Sequence, residues 1–237
     1  AERGRYRLLE DRWTLRAPKN LKQPGLDLRR VFVWSSANAG AAAKARDKKL
    51  DRARDVFREL GRRADESGDA GSMPSILNHL ALVECLAGRW DVALEHVADG
   101  YARAVESGQE PTQTSILGKR ALVEARRGLL DDARATVAEA LSLAGLDATA
   151  PRDALARGAE TAIWTLGLVE LSAGNPAGTV ELLGPMTDVL LGAGVAEPGE
   201  LRCLPDLIEA LTALGRIDEA DVLLRPLERR AETLRRP

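Results

Sequence analysis

The sequence predicts an all-α fold, a right-handed solenoid of antiparallel helix hairpins preceded by a short irregular or β-stranded leader. The aromatic residues are only four Trp, two Tyr and two Phe, whereas alanine, leucine, glutamate and arginine are abundant. This composition favours helices over the strands of a sandwich or barrel. Glycines also recur at a nearly regular interval, at Gly88, Gly128, Gly174 and Gly215. Their period of roughly 40–46 residues is typical of stacked repeat units.

The N-terminal segment, residues 1–54, differs from the remainder of the chain in charge. It carries 15 Lys/Arg and 6 Asp/Glu and has a net charge of +9, whereas residues 55–237 have a net charge of −11. The overall value of −2 therefore describes neither part. Two short runs, Arg5 to Glu10 and Arg30 to Ser35, have strand-like patterns. We expect residues 1–40 to be a poorly ordered basic leader and residues 41–72 to form a linking helix.

Four helix hairpins are expected over residues 73–237. In each hairpin the glycine is expected to end the first helix. In three hairpins an acidic residue at the start of the second helix interacts favourably with the positive end of the helix dipole (Asp91, Asp131, Asp218). Small residues predominate seven positions before the glycine (Ala81, Ala121, Gly167, Ile208) and five after it (Ala93, Ala133, Thr179, Ala220). The two helices should approach each other closely there. A single hairpin cannot bury its apolar face, so neighbouring hairpins should stack.

This pattern resembles the tetratricopeptide repeat, which also has a small residue, a turn glycine and a later alanine at these positions. The third hairpin departs from the family pattern at Pro176 and Thr179. The period of roughly 40 residues or more also exceeds the roughly 34 residues usual in the family. The resemblance therefore implies longer helices or loops than in the typical repeat.

Two segments, Asn78 to Trp90 and Glu197 to Arg202, resemble the helical-repeat sensor region of LuxR-type, MalT-like bacterial transcriptional regulators. The resemblance implies a non-enzymatic fragment that acts in protein–protein interaction or effector sensing. Two cysteines are too few for a disulfide framework and predict a cytoplasmic location. In that family an ATPase module precedes the repeats and a helix-turn-helix follows them. The sequence contains no G-x-x-x-x-G-K-[ST] phosphate loop and predicts no recognition helix.

Residues 28–39 and 48–54 resemble part of the catalytic domain of DDE-class insertion-sequence transposases. None of that family's metal-binding acids falls within the matching segment, and two-metal chemistry needs several converging carboxylates. The alternative hypothesis is therefore an inactive transposase remnant or fusion product that binds nucleic acid weakly through its basic charge. We expect no specific nucleic-acid recognition.

No catalytic or metal site is predicted, and no cofactor. His79 and His96 have no ligand partners at the spacing of a metal site. Cys85 and Cys203 belong to the first and fourth hairpins and are expected to be buried, unpaired thiols. No apolar stretch reaches the ~18 residues that a membrane span requires.

A concave groove lined by the first helix of each hairpin is the predicted binding surface, for a protein or peptide partner or a small effector. The candidate anchors are Asn78, Arg126, Trp164 and Arg202. The competing interpretation places Trp164 in the core and leaves Arg126 merely solvated. Self-association is also expected, through apolar residues of the linking helix and of the last helix: Val56, Phe57, Leu60, Leu223, Leu224 and Leu227.

Overall fold

The structure is a computed structural model and describes residues 49–147, 151–192 and 202–233. The chain divides into two units, Ala1–Arg46 and Asp47–Pro237, and every described residue belongs to the second. The predicted basic leader, with its two strands and its expected poor order, lies outside the described residues.

The described residues form helices and contain no strand. In chain order the helices are α1 (residues 49–67), α2 (Met73–Leu86), α3 (Trp90–Glu106), α4 (Glu110–Arg126), α5 (Leu130–Ala144), α6 (Pro151–Ala156), α7 (Glu160–Ser172), α8 (Pro176–Gly192), α9 (Leu204–Ala213) and α10 (Ile217–Thr233). A 3₁₀ turn, Ala70–Ser72, joins α1 to α2.

Four helix hairpins stack along the chain, namely α2 with α3, α4 with α5, α7 with α8, and α9 with α10. Their first helices also contact one another in the order α2, α4, α7 and α9, and form an inner row. The second helix of each of the first three hairpins packs against the first helix of the next. The predicted all-α solenoid of helix hairpins is therefore confirmed.

The turn inside each hairpin is closed by a left-handed glycine. Gly88 has a φ of 75°, which only glycine adopts without strain, and the Arg89 N–H donates to the Glu84 carbonyl oxygen at 2.9 Å. The other three turn glycines have the same positive φ and the same bond from the following residue. The sequence repeat thus reflects one repeated helix-ending geometry.

Small residues lie where the paired helices cross. Ala81 and Ala93 are fully buried in the first hairpin, as are Ala121 and Ala133 in the second. The third hairpin instead places Gly167 opposite Thr179, whose hydroxyl donates to the Gly167 carbonyl oxygen at 3.1 Å. The backbone thereby satisfies the buried Thr179 hydroxyl, and the missing Cβ of Gly167 leaves room for Leu183 on α8. The two helices of the third hairpin therefore still cross closely, although one of the two crossing positions is a threonine rather than an alanine.

The short helix α6 lies between the second and third hairpins and is additional to the two helices expected for each hairpin. It packs against α7 and α8, and it makes the interval between the second and third turn glycines the longest of the three. Gly158 then turns the chain into α7, with a φ of +73°. A Cβ atom at this position would lie 2.3 Å from the Pro111 carbonyl oxygen, so the turn sits directly against the start of α4.

Candidate functional site

The inner row of helices carries a cavity of about 490 Å³. Its walls come from α2, the start of α4, the turn between α6 and α7, the end of α8 and the residues just before α9. The lining residues used below are Asn78, Ser115, Glu160 and Arg202. We call this the inner cavity.

A chain of polar side chains links three inner helices beside the inner cavity. The Asn78 amide Nδ2 on α2 donates to Ser115 Oγ on α4 at 3.1 Å. Lys119 Nζ donates to the same Ser115 oxygen at 2.7 Å and to Thr161 Oγ1 on α7 at 3.2 Å. Asn78 is buried, and its Oδ1 atom has no hydrogen-bond partner among the described residues. The cavity wall therefore holds an acceptor that a bound molecule can satisfy.

Lys119 is the most unusual charged group beside the inner cavity. Burial lowers the pKa of its ammonium to about 8, an effect that Glu160 opposes and Arg202 reinforces. Its Nζ lies 3.9 Å from Glu160 Oε1. A buried ammonium with a carboxylate beside it and a guanidinium nearby makes this wall strongly polar.

A second polar cluster joins α7 to α9. Trp164 is buried, with 6% of its surface exposed, and its Nε1 donates to Asp206 Oδ2 at 2.7 Å. Burial raises the pKa of the Asp206 carboxyl, while the Trp164 hydrogen bond and the charge of Arg126 lower it. Arg126 also opposes the effect of burial on Cys85, whose thiol pKa is raised to about 11.

The four predicted anchors therefore fall into two groups. Asn78 and Arg202 line the inner cavity, whereas Trp164 donates a hydrogen bond to Asp206 and the charge of Arg126 lowers the pKa of the same carboxyl. The sequence reasoning did not single out Lys119 or Asp206.

A sequence signal for Lys119 was nevertheless present. It stands among residues expected to face other helices, between Gly118 and Ala121. The Gly118 backbone comes so close to α7 that a Cβ atom would lie 3.0 Å from Ala162 N. Gly118, a glycine inside a helix next to Lys119, thus indicates the surface where α4 and α7 pack together.

The two histidines and the two cysteines pack within the helical structure. Cys85 and Cys203 are free and buried. The His79 ring stacks on Phe57 with a centroid distance of 5.0 Å, and burial lowers the pKa of His96. Within the described ranges, no group of three or more His, Cys, Asp or Glu is placed to hold a metal ion. No helix in the described part of the chain is long and apolar enough to span a membrane.

The comparison with known proteins shows a similarity in fold. No family model and no curated protein matches the chain. The crystal structure of BtubC (BKLC) from P. vanneervenii is 19% identical, with a TM-score of 0.52, and the match covers 88% of this chain and 87% of that one. Two crystal structures of a kinesin light chain-type protein from Podosopora anserina, with nearly identical TPR-like repeats, are 17% and 16% identical. Their TM-scores are 0.45 and 0.44, and each covers 85% of this chain and 97% of its own.

Proposed function

We propose that the chain is a non-enzymatic binding module whose inner cavity receives an extended peptide segment of a partner protein. The observation that carries this proposal is Asn78 Oδ1, a buried acceptor in the wall of the inner cavity that has no partner among the described residues. A peptide backbone supplies N–H donors at regular intervals, and one of them satisfies this oxygen. Glu160, in the same cavity lining, offers a further carboxylate acceptor to such N–H groups.

Selection from a random peptide library on the immobilised full chain tests this function. A selected peptide should bind the chain in calorimetry, and Asn78→Leu should weaken that binding about tenfold, as expected for the loss of one buried hydrogen bond. Glu106→Gln, at an exposed position on α3 that does not line the inner cavity, is the matched control and should leave the affinity unchanged. Selection of no peptide, or equal affinity for Asn78→Leu, would overturn the proposal. Binding of a small effector instead would assign the inner cavity to sensing.

We further propose that the module derives from the sensor region of a LuxR-type, MalT-like regulator. The support is the resemblance over residues 78–90, which form most of α2 and its glycine turn, and over residues 197–202. Sequencing of the flanking genomic DNA provides the test. An ATPase module and a helix-turn-helix encoded in frame beside this segment would support the regulator origin. An intact insertion element upstream would favour the transposase fusion instead.

Weak nucleic-acid binding is a second candidate function, which the net charge of +9 over residues 1–54 favours. Counterion release makes such binding strongly dependent on salt. DNA retention by the full chain should fall steeply between about 50 and 200 mM salt, and it should not depend on the DNA sequence. Retention that is insensitive to salt would contradict this candidate.

A further inference from the structure

Three hairpins carry a glutamate four positions before the turn glycine, at Glu84, Glu124 and Glu170. Glu84 is completely buried, and Glu124 is only 8% exposed. A carboxylate at such a depth is stable only when its oxygens accept hydrogen bonds. The donors to these three carboxylates differ between the hairpins, and that difference points to a binding site.

In the first and third hairpins both carboxylate oxygens have donors. Arg54 Nε on α1 donates to Glu84 Oε1 at 2.7 Å, and Arg89 Nε donates to Oε2 at 2.5 Å. Glu170 accepts from the Arg134 guanidinium on α5 at 3.2 Å and from Asn175 Nδ2 at 2.8 Å. In each case one donor comes from a helix earlier in the chain, α1 or α5, and the other directly follows the turn glycine.

The middle hairpin has leucine at both donor positions. Leu94 is the fifth residue of α3, and Arg134 is the fifth residue of α5. Leu94 also precedes Glu124 by the same number of residues as Arg54 precedes Glu84. Leu129 follows Gly128 as Arg89 follows Gly88. The usual donors to the glutamate are therefore replaced by apolar side chains in this hairpin.

The consequence falls on one oxygen of the Glu124 carboxylate. Its Oε1 accepts from Arg120 Nε at 2.9 Å, but Oε2 is buried and accepts from no described residue. An unsatisfied buried carboxylate oxygen is costly, so the site favours an external donor.

A cavity of about 440 Å³ lies at this place and shares no lining residue with the inner cavity. We call it the outer cavity. Its lining includes Leu94, Leu129, Arg120, Glu124 and Arg127.

The charges around the outer cavity are compatible with a cationic ligand. The two arginines are already engaged, Arg120 with Glu124 and Arg127 with Asp91. Asp132 and Glu139 are exposed at the rim and add negative charge. The two leucines offer an apolar wall to a hydrocarbon stem.

We propose that the outer cavity is a guanidinium-binding site that takes the side chain of an arginine. A guanidinium is the group that the neighbouring hairpins place on the equivalent glutamates, through Arg54 and Arg134. Its planar N–H donors match the unpartnered Oε2 of Glu124. The arginine belongs to a partner peptide or is a free arginine derivative, and both present the same group to the cavity.

Calorimetry on the full chain tests this site with three probes. N-acetylarginine amide and the tripeptide acetyl-Gly-Arg-Gly-amide carry the guanidinium, and N-acetylcitrulline amide is the uncharged isostere. Both arginine probes should bind at least tenfold more tightly than citrulline. A tripeptide that binds tenfold more tightly than the free derivative identifies a peptide as the source, whereas equal affinities identify a small molecule. Absence of binding by both arginine probes, or binding of citrulline equal to that of arginine, would overturn the proposal.

Two variants locate the binding. Glu124→Gln should weaken arginine binding at least tenfold, and Leu94→Arg should abolish it, because its own guanidinium then occupies the cavity as Arg54 and Arg134 do in their hairpins. Glu106→Gln, an exposed change of the same charge on α3, is the control and should have no effect. Wild-type affinity in Glu124→Gln would refute the site. Asn78→Leu should leave arginine binding intact, which separates this proposal from that for the inner cavity.

Discussion

Gly167 on α7 and Leu183 on α8 are packed so closely that a Cβ atom on residue 167 would lie 2.5 Å from Leu183 Cγ. Leu183 is completely buried, so it has little room to move away. The glycine is therefore required by the packing of the third hairpin rather than by its own backbone conformation. It takes the place that Ala81 and Ala121 fill in the first two hairpins.

Gly167→Ala should accordingly destabilise the protein by about 1–3 kcal/mol, the usual cost of overpacking a buried contact. Gly61→Ala on α1 is the matched control, because its added Cβ would meet neighbours only at ordinary contact distance, with Ile76 Cγ2 at 3.7 Å. That control should stabilise the protein by about 0.5–1 kcal/mol through helix propensity. Urea unfolding followed by circular dichroism measures both changes. Equal stabilities for the two variants would contradict the packing argument.

Exposed apolar side chains on α1 predict self-association. Val56 is 51% exposed and Leu60 is 42% exposed, and their spacing of four positions places them on the same face of the helix. Replacing both by lysine should shift the chain towards monomer at high concentration and leave its unfolding midpoint nearly unchanged. Sedimentation velocity over a concentration series measures the shift. Unchanged association in this double variant would assign it to another surface, such as that around Val222, which is 66% exposed.

The fold was more predictable from the sequence than the site. Helix ends depend on local chemistry, so Gly88 and its equivalents marked the hairpins, and Ala81 and Ala93 marked a close crossing. Helix α6 escaped notice because its six residues are too few to show a helical period.

The polar contacts depend on distances between separate hairpins, which the sequence does not encode locally. Lys119 and Thr161 are 42 residues apart, as are Trp164 and Asp206. The glutamates were visible as a repeat, but their arginine donors lie 30 or 36 residues away along the chain. Only the stacked hairpins reveal that Leu94 occupies a donor position.

The contact between Trp164 and Asp206 predicts opposite effects for two substitutions. Asp206→Asn removes a partly buried charge whose pKa is raised by burial, and it keeps an oxygen for Trp164 Nε1. It should therefore stabilise the protein at pH 7, because burial disfavours the charged form of the carboxyl. Asp206→Ala leaves the indole N–H without its acceptor and should destabilise the protein by about 1–3 kcal/mol.

Thermal unfolding at pH 7 separates these two outcomes, with Asp55→Asn, at an exposed position within α1, as the control. The raised pKa also fixes the sign of the pH dependence. The Asp206 carboxyl becomes less favourable to folding as the pH rises through the unfolded and then the folded pKa. The advantage of Asp206→Asn over wild type should consequently shrink in acid. A constant difference between the two proteins over pH 3–7 would contradict the burial of this charge.

Lys119 predicts the reverse behaviour in alkali. Burial lowers the pKa of its ammonium to about 8 in the folded protein, against about 10.4 in an unfolded chain. Between these two values the unfolded state binds the additional proton, so the stability of the folded state rises with pH. Below about pH 8 both states are protonated, and the cost of burying the charge is constant.

The wild-type protein should thus gain stability relative to Lys119→Met from pH 8 to pH 10, by at most about 1.4 kcal/mol per pH unit. Urea unfolding of both proteins at pH 7, 8, 9 and 10 measures this gain. Lys49→Met, at an exposed position on α1, is the control and should follow wild type throughout. Parallel curves for wild type and Lys119→Met would mean that the ammonium is hydrated, and that the polar chain from Asn78 to Thr161 opens to solvent.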